Sequence, residues 1–372
     1  MKAMAKSIVS IIKHKDPSLA VRKSIDLLGG LGDKIEKDAC VLIKPNLIYG
    51  ARYETGTTTN PAVLKTLVEL ILPITENISI VESDFGMASN PEGPMPIFRE
   101  VETVFNLSSY DTLRKLGVRF VNLGKERCQW LELSDSKVLA RIKVPKEFYE
   151  GASLVSVPTL KNHGITTVSL GLKNLYGLIP EARVRRRLHE TISSVLPDLA
   201  ELFSSIFTVI DGSIGLEGPV ACFGAPAESN MIISSGDIVA ADAVGTKVMG
   251  QDPNNVDHIT EAARRGLGKL DQIDVRGDAV EKVQRRFNMD PELPLQIIER
   301  MKALGDARED DLLALYPSDQ DLVRRYLRAF VMYGPLVRED DRYRFDNRLL
   351  QGFICRRCTQ TGRPFCARWK RL

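Results

Sequence analysis

The chain of 372 residues has few aromatic side chains, 6% of the total, and no apolar run near the roughly 18 residues that a membrane-spanning helix needs. The apolar stretch Ile8 to Ile12 is ended by Lys13, His14 and Lys15, too early for the core of a signal peptide. We therefore expect a cytoplasmic protein that does not associate with membranes. With 44% hydrophobic and 27% charged residues, the composition excludes a wholly disordered, collagen-like or coiled-coil chain.

Familiar catalytic motifs are also missing. The sequence contains no G-x-S-x-G nucleophile elbow, no H-E-x-x-H metal motif, no Walker A loop and no G-x-G-x-x-G segment after a predicted strand. None of these signatures therefore assigns the chain to a hydrolase, metalloprotease, nucleotide-hydrolysing or dinucleotide-binding class.

Predicted strands and helices alternate along the chain up to about residue 280. Apolar β-type runs at 39–43, 78–81, 152–157, 207–210 and 231–233 are separated by helical patterns, such as the one over 238–249 that Gly250 ends. This alternation predicts a doubly wound α/β domain with a mostly parallel sheet over residues 1–280. A division of that domain into two lobes near 145–155 is an open alternative.

The pattern changes after residue 280. Charged helical patterns at 296–304 and 321–333 precede the segment 336–345, which predicts a hairpin with Glu339, Asp340 and Asp341 at its turn. A helix followed by a basic hairpin resembles the wing of a winged-helix module, and a helical extension that docks a partner is the alternative. We therefore predict a helical, winged-helix-like extension over 281–353 and a basic, cysteine-containing tail over 354–372.

Positive charge and cysteine are concentrated in the last part of the chain. Residues 319–372 contain 13 Lys and Arg against 6 Asp and Glu, whereas residues 1–318 contain 38 against 42. Cys355 and Cys358 form a C-x2-C pair, to which Cys366 can return through the turn at 361–364. Three thiolates fit a [4Fe–4S] cluster with one open iron position, or a zinc site whose fourth ligand comes from elsewhere. Loosely ordered free thiols are the alternative.

Charged and polar residues gather directly after the predicted strands. They are Lys44, Asn46, Glu82, Asp84, Lys161, Asp211 and Asp237. In open α/β sheets ligands bind outside the carboxyl ends of the strands, so this distribution predicts a binding site there. The alternative for any one of these residues is that strand ends are polar because they face water.

The segment 158–177 carries the most chemistry. Lys161 and Lys173 can neutralise a carboxylate or phosphate, and His163 can transfer protons near neutral pH. We predict these three as catalytic residues, against the alternative of a glycine-rich loop with solvated lysines. The basic run over 183–187 that follows is either a solvated face or an anion clamp.

A second candidate anion site precedes the helix predicted at 62–72. Thr57, Thr58 and Thr59 present hydroxyl groups near a helix N-terminus, where free backbone amides attract anions. Asn60 is expected only to cap that helix. The predicted ligand-binding residues are Lys44, Asn46, Thr57, Thr58, Thr59, Asn174 and Asp211.

These motifs resemble the domain-of-unknown-function family 362. The matching segments are Lys44-Pro45-Asn46, Thr59-Asn60-Pro61, Pro158-x-Leu160-Lys161-x-His163, Leu172 to Gly177, Asp211-Gly212, Glu217-Gly218-Pro219, Asp237 to Gly250 and His258 to Gly277. The resemblance covers about residues 5–278. Members are often joined to ferredoxin-like iron–sulfur segments, which implies iron at the C-terminal cysteines. The C-x2-C-x2-C-x3-C run of such segments is absent from this chain.

A fainter resemblance is to the lactate racemase family, which uses a nickel-pincer nucleotide. That family has a proton-transferring histidine, a cofactor-anchoring lysine ten residues later and a nickel-binding histidine sixteen residues beyond it. His163, Lys173 and His189 have the same spacing. The resemblance implies a pincer-like cofactor with His189 at the metal. The family's other catalytic histidine has no counterpart around Ile97, which counts against a two-base racemisation.

Together these features predict an enzyme that binds a small anion at the strand ends. Redox or isomerase chemistry, linked to a metal or iron–sulfur centre, would go with an electron-transfer or protein partner. The alternative is a nucleic-acid- or protein-binding module that acts through the basic C-terminal region. Its phosphate contacts would be Arg324, Arg325, Arg328, Arg342 and Arg344. Interleaved acidic residues and few aromatic ones count against nucleic acid.

Overall fold

A computed structural model describes residues 6–47, 52–84, 100–133, 138–145, 151–203, 205–218, 224–289, 292–314, 316–333 and 336–345. The strands are β1 (Ser7–Lys13), β2 (Val41–Pro45), β3 (Ile78–Glu82), β4 (Arg119–Asn122), β5 (Cys128–Glu132), β6 (Arg141–Pro145), β7 (Ser153–Val157), β8 (Thr159–His163), β9 (Thr167–Ser169), β10 (Ile206–Glu217), β11 (Ala225–Ala227), β12 (Met231–Ser235), β13 (Ile273–Gly277), β14 (Asp306–Arg308), β15 (Leu336–Glu339) and β16 (Arg342–Phe345).

The helices alternate with these strands. They are α1 (Pro17–Leu27), α2 (Pro61–Ile71), α3 (Val101–Leu107), α4 (Asp111–Arg114), α5 (Gly171–Asn174), α6 (Ala182–Arg187), α7 (Ile192–Ala200), α8 (Ile238–Val248), α9 (Asp257–Arg264), α10 (Val280–Val283), α11 (Glu292–Leu304), α12 (Glu309–Leu313) and α13 (Gln320–Tyr333). Single 3-10 turns cover Tyr53–Thr55, Leu175–Leu178, Leu188–Thr191 and Pro253–Asn255.

One large sheet organises the α/β part of the chain, with the strand order β13-β1-β12-β10-β7-β2-β3-β4. Along this order β12 runs antiparallel to β1 and β10, and the other neighbours are parallel. Beyond Pro158 the chain of β7 resumes as β8, which pairs with the far half of β10, and β9 and β11 attach to β8 and β10. The predicted mostly parallel sheet is confirmed.

The sheet separates two hydrophobic cores. Because successive side chains of a strand point to opposite faces, Leu42 belongs to one core while Val41 and Ile43 belong to the other. Helices α1 and α2 cover the face of Val41, and α7, α8 and α9 cover the face of Leu42. Helices on both faces make the doubly wound architecture that the alternating sequence pattern predicts.

Local signals set the helix ends. Asn60 accepts a hydrogen bond from the Ala62 amide at 2.9 Å, with Pro61 in the first helical position, so the predicted cap of α2 is confirmed. Helix α8 ends just before Gly250, which has a φ of +73°, a conformation that glycine adopts without strain.

One predicted strand end and one predicted loop are wrong. The sequence predicts that the strand from 207 ends before Asp211, but β10 continues to Glu217, because it exchanges its partner β7 for β8 and keeps a hydrogen-bonding neighbour. Lys161 likewise lies inside β8 and not in a loop after a strand. Pro158, which has no amide hydrogen, interrupts the strand for a single residue.

The C-terminal extension has a core of its own, made by α11, α12, α13 and a small sheet of order β14-β16-β15. The hairpin predicted at 336–345 is confirmed as the pair β15 and β16. Its elements follow the order helix, strand, helix, helix, strand, strand, and the winged-helix-like assignment stays a prediction. Helix α13 packs against β11, and Ala225 of β11 joins the core of the extension. The domain boundaries near 150, 280 and 353 stay predictions.

Candidate functional site

The carboxyl ends of β2 and β3 hold a buried ion pair. These strands are parallel neighbours, which brings Lys44 beside Glu82; the two side chains are 2% and 5% exposed. The Lys44 ammonium donates to a Glu82 carboxylate oxygen at 2.6 Å and to the Pro45 carbonyl at 2.7 Å. Burial lowers the pKa of Lys44, and the charge of Glu82 opposes that shift. The positive charge of Lys44 is therefore matched within the protein.

Asn174 joins this pair to the next segment of the chain. Its Nδ2 donates to the Lys44 carbonyl at 2.7 Å and to the Ser156 hydroxyl at 3.1 Å. Gly177 packs so closely that a Cβ there would lie 2.7 Å from both the Glu82 carboxylate and Lys44 Cε. Lys44 and Asn174, both predicted to bind a ligand, are thus brought together and bonded to each other.

Arg185 of α6 reaches the same end of the sheet. Its guanidinium donates to the Ser83 hydroxyl and to the carbonyls of Ile179 and Asp84. Burial lowers the pKa of Arg185, and the charge of Glu82 opposes this. The sequence analysis missed this residue, because Arg185 stands in a run of similar arginines over 183–187 and only the folded chain shows that it is half-buried while 183, 186 and 187 are exposed.

Lys173 is half-buried on the short helix α5. Its Nζ lies 4.8 Å from the centre of the Tyr176 ring, and the His189 ring packs edge-on against the same ring, with 5.6 Å between the centres. The Lys173 ammonium and the His189 imidazole are therefore no farther apart than the sum of these two distances. Desolvation, followed by the charges of Lys44 and Arg185, lowers the pKa of Lys173 to about 8.

His163 ends β8 and is 9% exposed. Its Nδ1 accepts hydrogen bonds from the backbone amides of Ile165 and Thr166, both at 3.2 Å. Because an amide can only donate, the imidazole proton must lie on Nε2. Burial, followed by the charges of Lys173 and Lys161, lowers the pKa of His163 well below its usual range. The ring is therefore neutral at pH 7 and offers an N–H donor.

These electrostatic effects also indicate which predicted residues the fold brings near one another. The charges that lower the pKa of His163 come from Lys173, Lys161, His189 and His258, in that order. Lys161 is buried on β8, two residues before His163. The three predicted catalytic residues and His189 therefore belong to one neighbourhood, close to the Lys44–Glu82 pair.

The predicted threonine cradle is largely engaged by the protein itself. The Thr59 hydroxyl donates to a carbonyl of β7 at 2.7 Å and accepts from the Asn46 amide at 2.8 Å, and the Thr57 hydroxyl bonds a neighbouring threonine hydroxyl at 2.6 Å. The Thr58 hydroxyl is buried and has no hydrogen bond to the residues that the structure describes. Ligand contacts of this segment stay a prediction.

Asp211 lies in β10 and also serves the fold. It accepts hydrogen bonds from the Asn60 amide at 2.7 Å and from the Ser213 amide at 2.9 Å. Burial raises the pKa of Asp211, and the two amide contacts oppose that shift. Asp211 thus ties the start of α2 to β10, and a ligand contact by this residue stays a prediction.

The predicted metal ligands fall mostly outside the described residues. Within the described ranges, no three or more His, Cys, Asp or Glu side chains are grouped so that they could hold a metal ion. His189 contacts Tyr176, as given above, whereas Cys355, Cys358 and Cys366 lie outside the described residues. The iron–sulfur cluster, the zinc site and the pincer-like cofactor stay predictions.

Most of the arginines predicted for phosphate contacts are occupied by carboxylates. The pairs are Arg324 with Glu309 at 3.0 Å, Arg325 with Glu217 at 2.8 Å, Arg342 with Asp306 at 2.6 Å and Arg344 with Glu339 at 3.6 Å. These pairs reduce the positive charge that the extension can present to a polyanion.

Comparison with known proteins gives a family and two relatives. Residues 41–247 match the family described as domain of unknown function DUF362. A thylakoid-associated protein of Synechocystis sp. is 26% identical over 267 residues, which cover 67% of this chain and 74% of that protein. The structure of the lactate racemase apoprotein from Thermoanaerobacterium thermosaccharolyticum is similar with a TM-score of 0.37 and 13% identity, over 56% of this chain. This chain spans 52% of that racemase chain.

The helices in the described part of the chain are all too short or too polar to cross a membrane. The family match covers more than half of the sequence, and it contains Lys44, Glu82, His163 and Lys173. The predicted family resemblance is thereby confirmed, and this chain belongs to the DUF362 family.

Proposed function

We propose that this chain is an enzyme that binds a small carboxylate or phosphate at the carboxyl ends of the strands, with Lys173 as the cation that receives the anion. The carrying observation is a surplus of positive charge. Lys44 is matched by Glu82, whereas Lys173 contacts the Tyr176 ring and has no hydrogen bond or ion pair with the described residues. A desolvated charge without a partner costs free energy, and a bound anion would remove that cost.

His163 would act as a hydrogen-bond donor and acid. Its Nδ1 is occupied by two backbone amides, so the group left for a substrate is Nε2–H. A neutral imidazole that donates to an oxygen where negative charge develops stabilises the transition state of many reactions of carboxylates and carbonyl compounds. Because the lowered pKa keeps His163 neutral, the ring adds no further positive charge beside Lys173 and Lys161.

Two further parts of the proposal concern surroundings. The thylakoid association belongs to the relative from Synechocystis, and for this chain we propose the cytoplasm. An electron-transfer or protein partner is proposed only together with a metal centre at the C-terminal cysteines. The nucleic-acid-binding alternative has no support from the arginine pairs of the extension.

The test is to measure, by calorimetry, the affinity of the protein for inorganic phosphate and for a series of small mono- and dicarboxylates. Lys173→Met should lower the affinity for the tightest-bound of these anions by about tenfold or more, since a charge-assisted contact contributes about 1.5–3 kcal/mol. Lys65→Met, which removes an exposed lysine of α2, is the matched control and should leave the affinity unchanged.

The same measurement across pH sharpens the test. The anion binds the ammonium form of Lys173, whose pKa is about 8 in the free protein. The affinity for the carboxylates should therefore be constant from about pH 6 to pH 8, and above pH 8 it should fall toward the affinity of Lys173→Met. Equal affinities for Lys173→Met and the unaltered protein, or no binding of any tested anion, would contradict the proposal.

A further inference from the structure

We infer that Asp242 is a positioning residue, which holds the helix that carries Lys173 in the place that the proposed anion site needs. Asp242 lies on α8 and is 0% exposed. Its Oδ1 accepts a hydrogen bond from the Gly171 amide at 2.6 Å, and its Oδ2 accepts one from the Leu172 amide at 2.9 Å. These are the first two residues of α5, and Lys173 is the third. The Asp242 carboxylate therefore binds the backbone of α5 directly before Lys173.

Helix α5 needs these contacts because it is too short to be stable by itself. A helix leaves its first four amides without internal partners, and α5 has only four residues. Position 170, where a capping side chain would normally stand, is Leu170, which provides no cap. The cap is supplied instead from α8, by a residue 71 positions away in the sequence.

The packing around Gly171 shows how tightly the two helices meet. A Cβ on Gly171 would lie 2.8 Å from Asp242 Oδ1 and 2.9 Å from the Thr208 side chain. Only a glycine leaves room for the carboxylate at this distance, so the position of α5 is specified from both sides of the contact.

The carboxylate is held at a cost. No cation among the described residues pairs with Asp242, and burial raises the pKa of Asp242 to about 7 although its two amide contacts oppose the shift. A costly buried charge is common where it keeps a functional group in position. Here that group is Lys173, so the positioning role that we infer rests on the proposed function. The contact between Asp242 and α5 is observed independently of that function.

The test measures the protonation of Lys173 without any ligand. Competitive labelling with acetic anhydride at a series of pH values, read by mass spectrometry of the Lys173 peptide, gives the titration midpoint, which should lie near pH 8 in the unaltered protein. In Asp242→Asn the amide group turns a donor toward one of the two backbone amides, which loosens α5 and lets water reach the ammonium. The midpoint should rise by at least about one pH unit.

Asp198→Asn is the matched control. Asp198 on α7 is also 0% exposed and also accepts hydrogen bonds from two successive amides, those of Val138 and Leu139 at 3.0 Å each. Unlike Asp242, it is also paired with a cation, Arg265, at 2.7 Å. Its loss should destabilise the fold and leave the Lys173 midpoint unchanged. An unchanged midpoint in Asp242→Asn, or equal shifts in both variants, would overturn the inference.

Gly171→Ala supplies a second variant in case Asp242→Asn fails to fold. It keeps the carboxylate but pushes the two partners apart, and the Lys173 midpoint should again rise. An unchanged midpoint in this folded variant counts against the role of Asp242. These outcomes are independent of anion binding, so a failure of the proposed function is recognised separately, by the absence of anion binding to the unaltered protein.

Discussion

Buried charge is balanced differently at the strand ends and at the junction with the C-terminal extension. At the junction, Glu217 of β10 pairs with Arg285 and, at 2.8 Å, with Arg325 of α13, and it accepts the Asn288 amide at 2.9 Å. Arg325 also binds Asp321 at 2.9 Å. At the strand ends, Glu82 faces Lys44 directly, while Lys173 and Arg185 add positive charge nearby.

The difference separates charge that holds the fold together from charge that is available to a ligand. A buried ion pair with both partners in place is neutral in sum, and removing one partner leaves an uncompensated charge. A surplus charge is already uncompensated in the protein without ligand, and its burial already costs free energy. Substitutions at the two kinds of position should therefore have opposite effects on the free energy of unfolding.

The largest effect is expected for Glu82→Gln. This variant keeps the shape of the side chain but leaves the Lys44 ammonium buried without its carboxylate, so the free energy of unfolding should fall by about 3–5 kcal/mol in a denaturant titration. Asp306→Asn breaks the exposed pair with Arg342 and should cost less than about 1 kcal/mol. Similar losses in the two variants would mean that Lys44 releases its proton once Glu82 is neutral, and that the buried pair contributes no more to the free energy of unfolding than an exposed one.

Glu217→Gln should have an intermediate effect. Arg285 is 39% exposed and can turn to water, and Arg325 keeps Asp321, so the expected loss in the free energy of unfolding is about 2 kcal/mol. The loosening should be local, and hydrogen exchange should become faster in residues 292–345 than in the large sheet. Uniformly faster exchange, or a loss larger than that of Glu82→Gln, would remove the distinction between the two regions.

The smallest effect, with the opposite sign, is expected for Lys173→Met. Removal of a surplus charge should raise the free energy of unfolding by about 1 kcal/mol at pH 7, as is common when a functional group is replaced. Lys44→Met makes the same change at the matched cation and should lower the free energy of unfolding instead. A lower stability in both variants would contradict the comparison.

The gain from Lys173→Met should also depend on pH. The pKa of Lys173 is about 8 in the folded protein, below its ordinary value of 10.5, so the folded state binds this proton more weakly than the unfolded state does. The cost of the ammonium is therefore fully present below pH 8, shrinks as the pH rises toward 10.5 and is absent above that value. Denaturant titrations at pH 7 and near pH 10.5 should show the gain at the lower pH only.

Short-range features of the fold and the family could be predicted from the sequence alone. The alternation of apolar runs predicts the mostly parallel sheet, Asn60 and Pro61 predict the start of α2, and the acidic turn at 339–341 predicts the hairpin of β15 and β16. The ordered motifs from Lys44 onward also indicate the family that the comparison confirms. All of these depend on residues a few positions apart, whose conformational preferences act before distant segments meet.

Other features were decided only by the tertiary structure. Asp211 and Lys161 lie inside strands because β8 becomes a new partner for β10, and Arg185 turns inward while its neighbours stay exposed. The protonated nitrogen of His163 follows from where two amides lie, and the grip of Asp242 on α5 joins residues 71 positions apart. Burial, hydrogen-bond partners and the resulting pKa values are properties of packed neighbours, and no local sequence pattern records which distant segment will supply them.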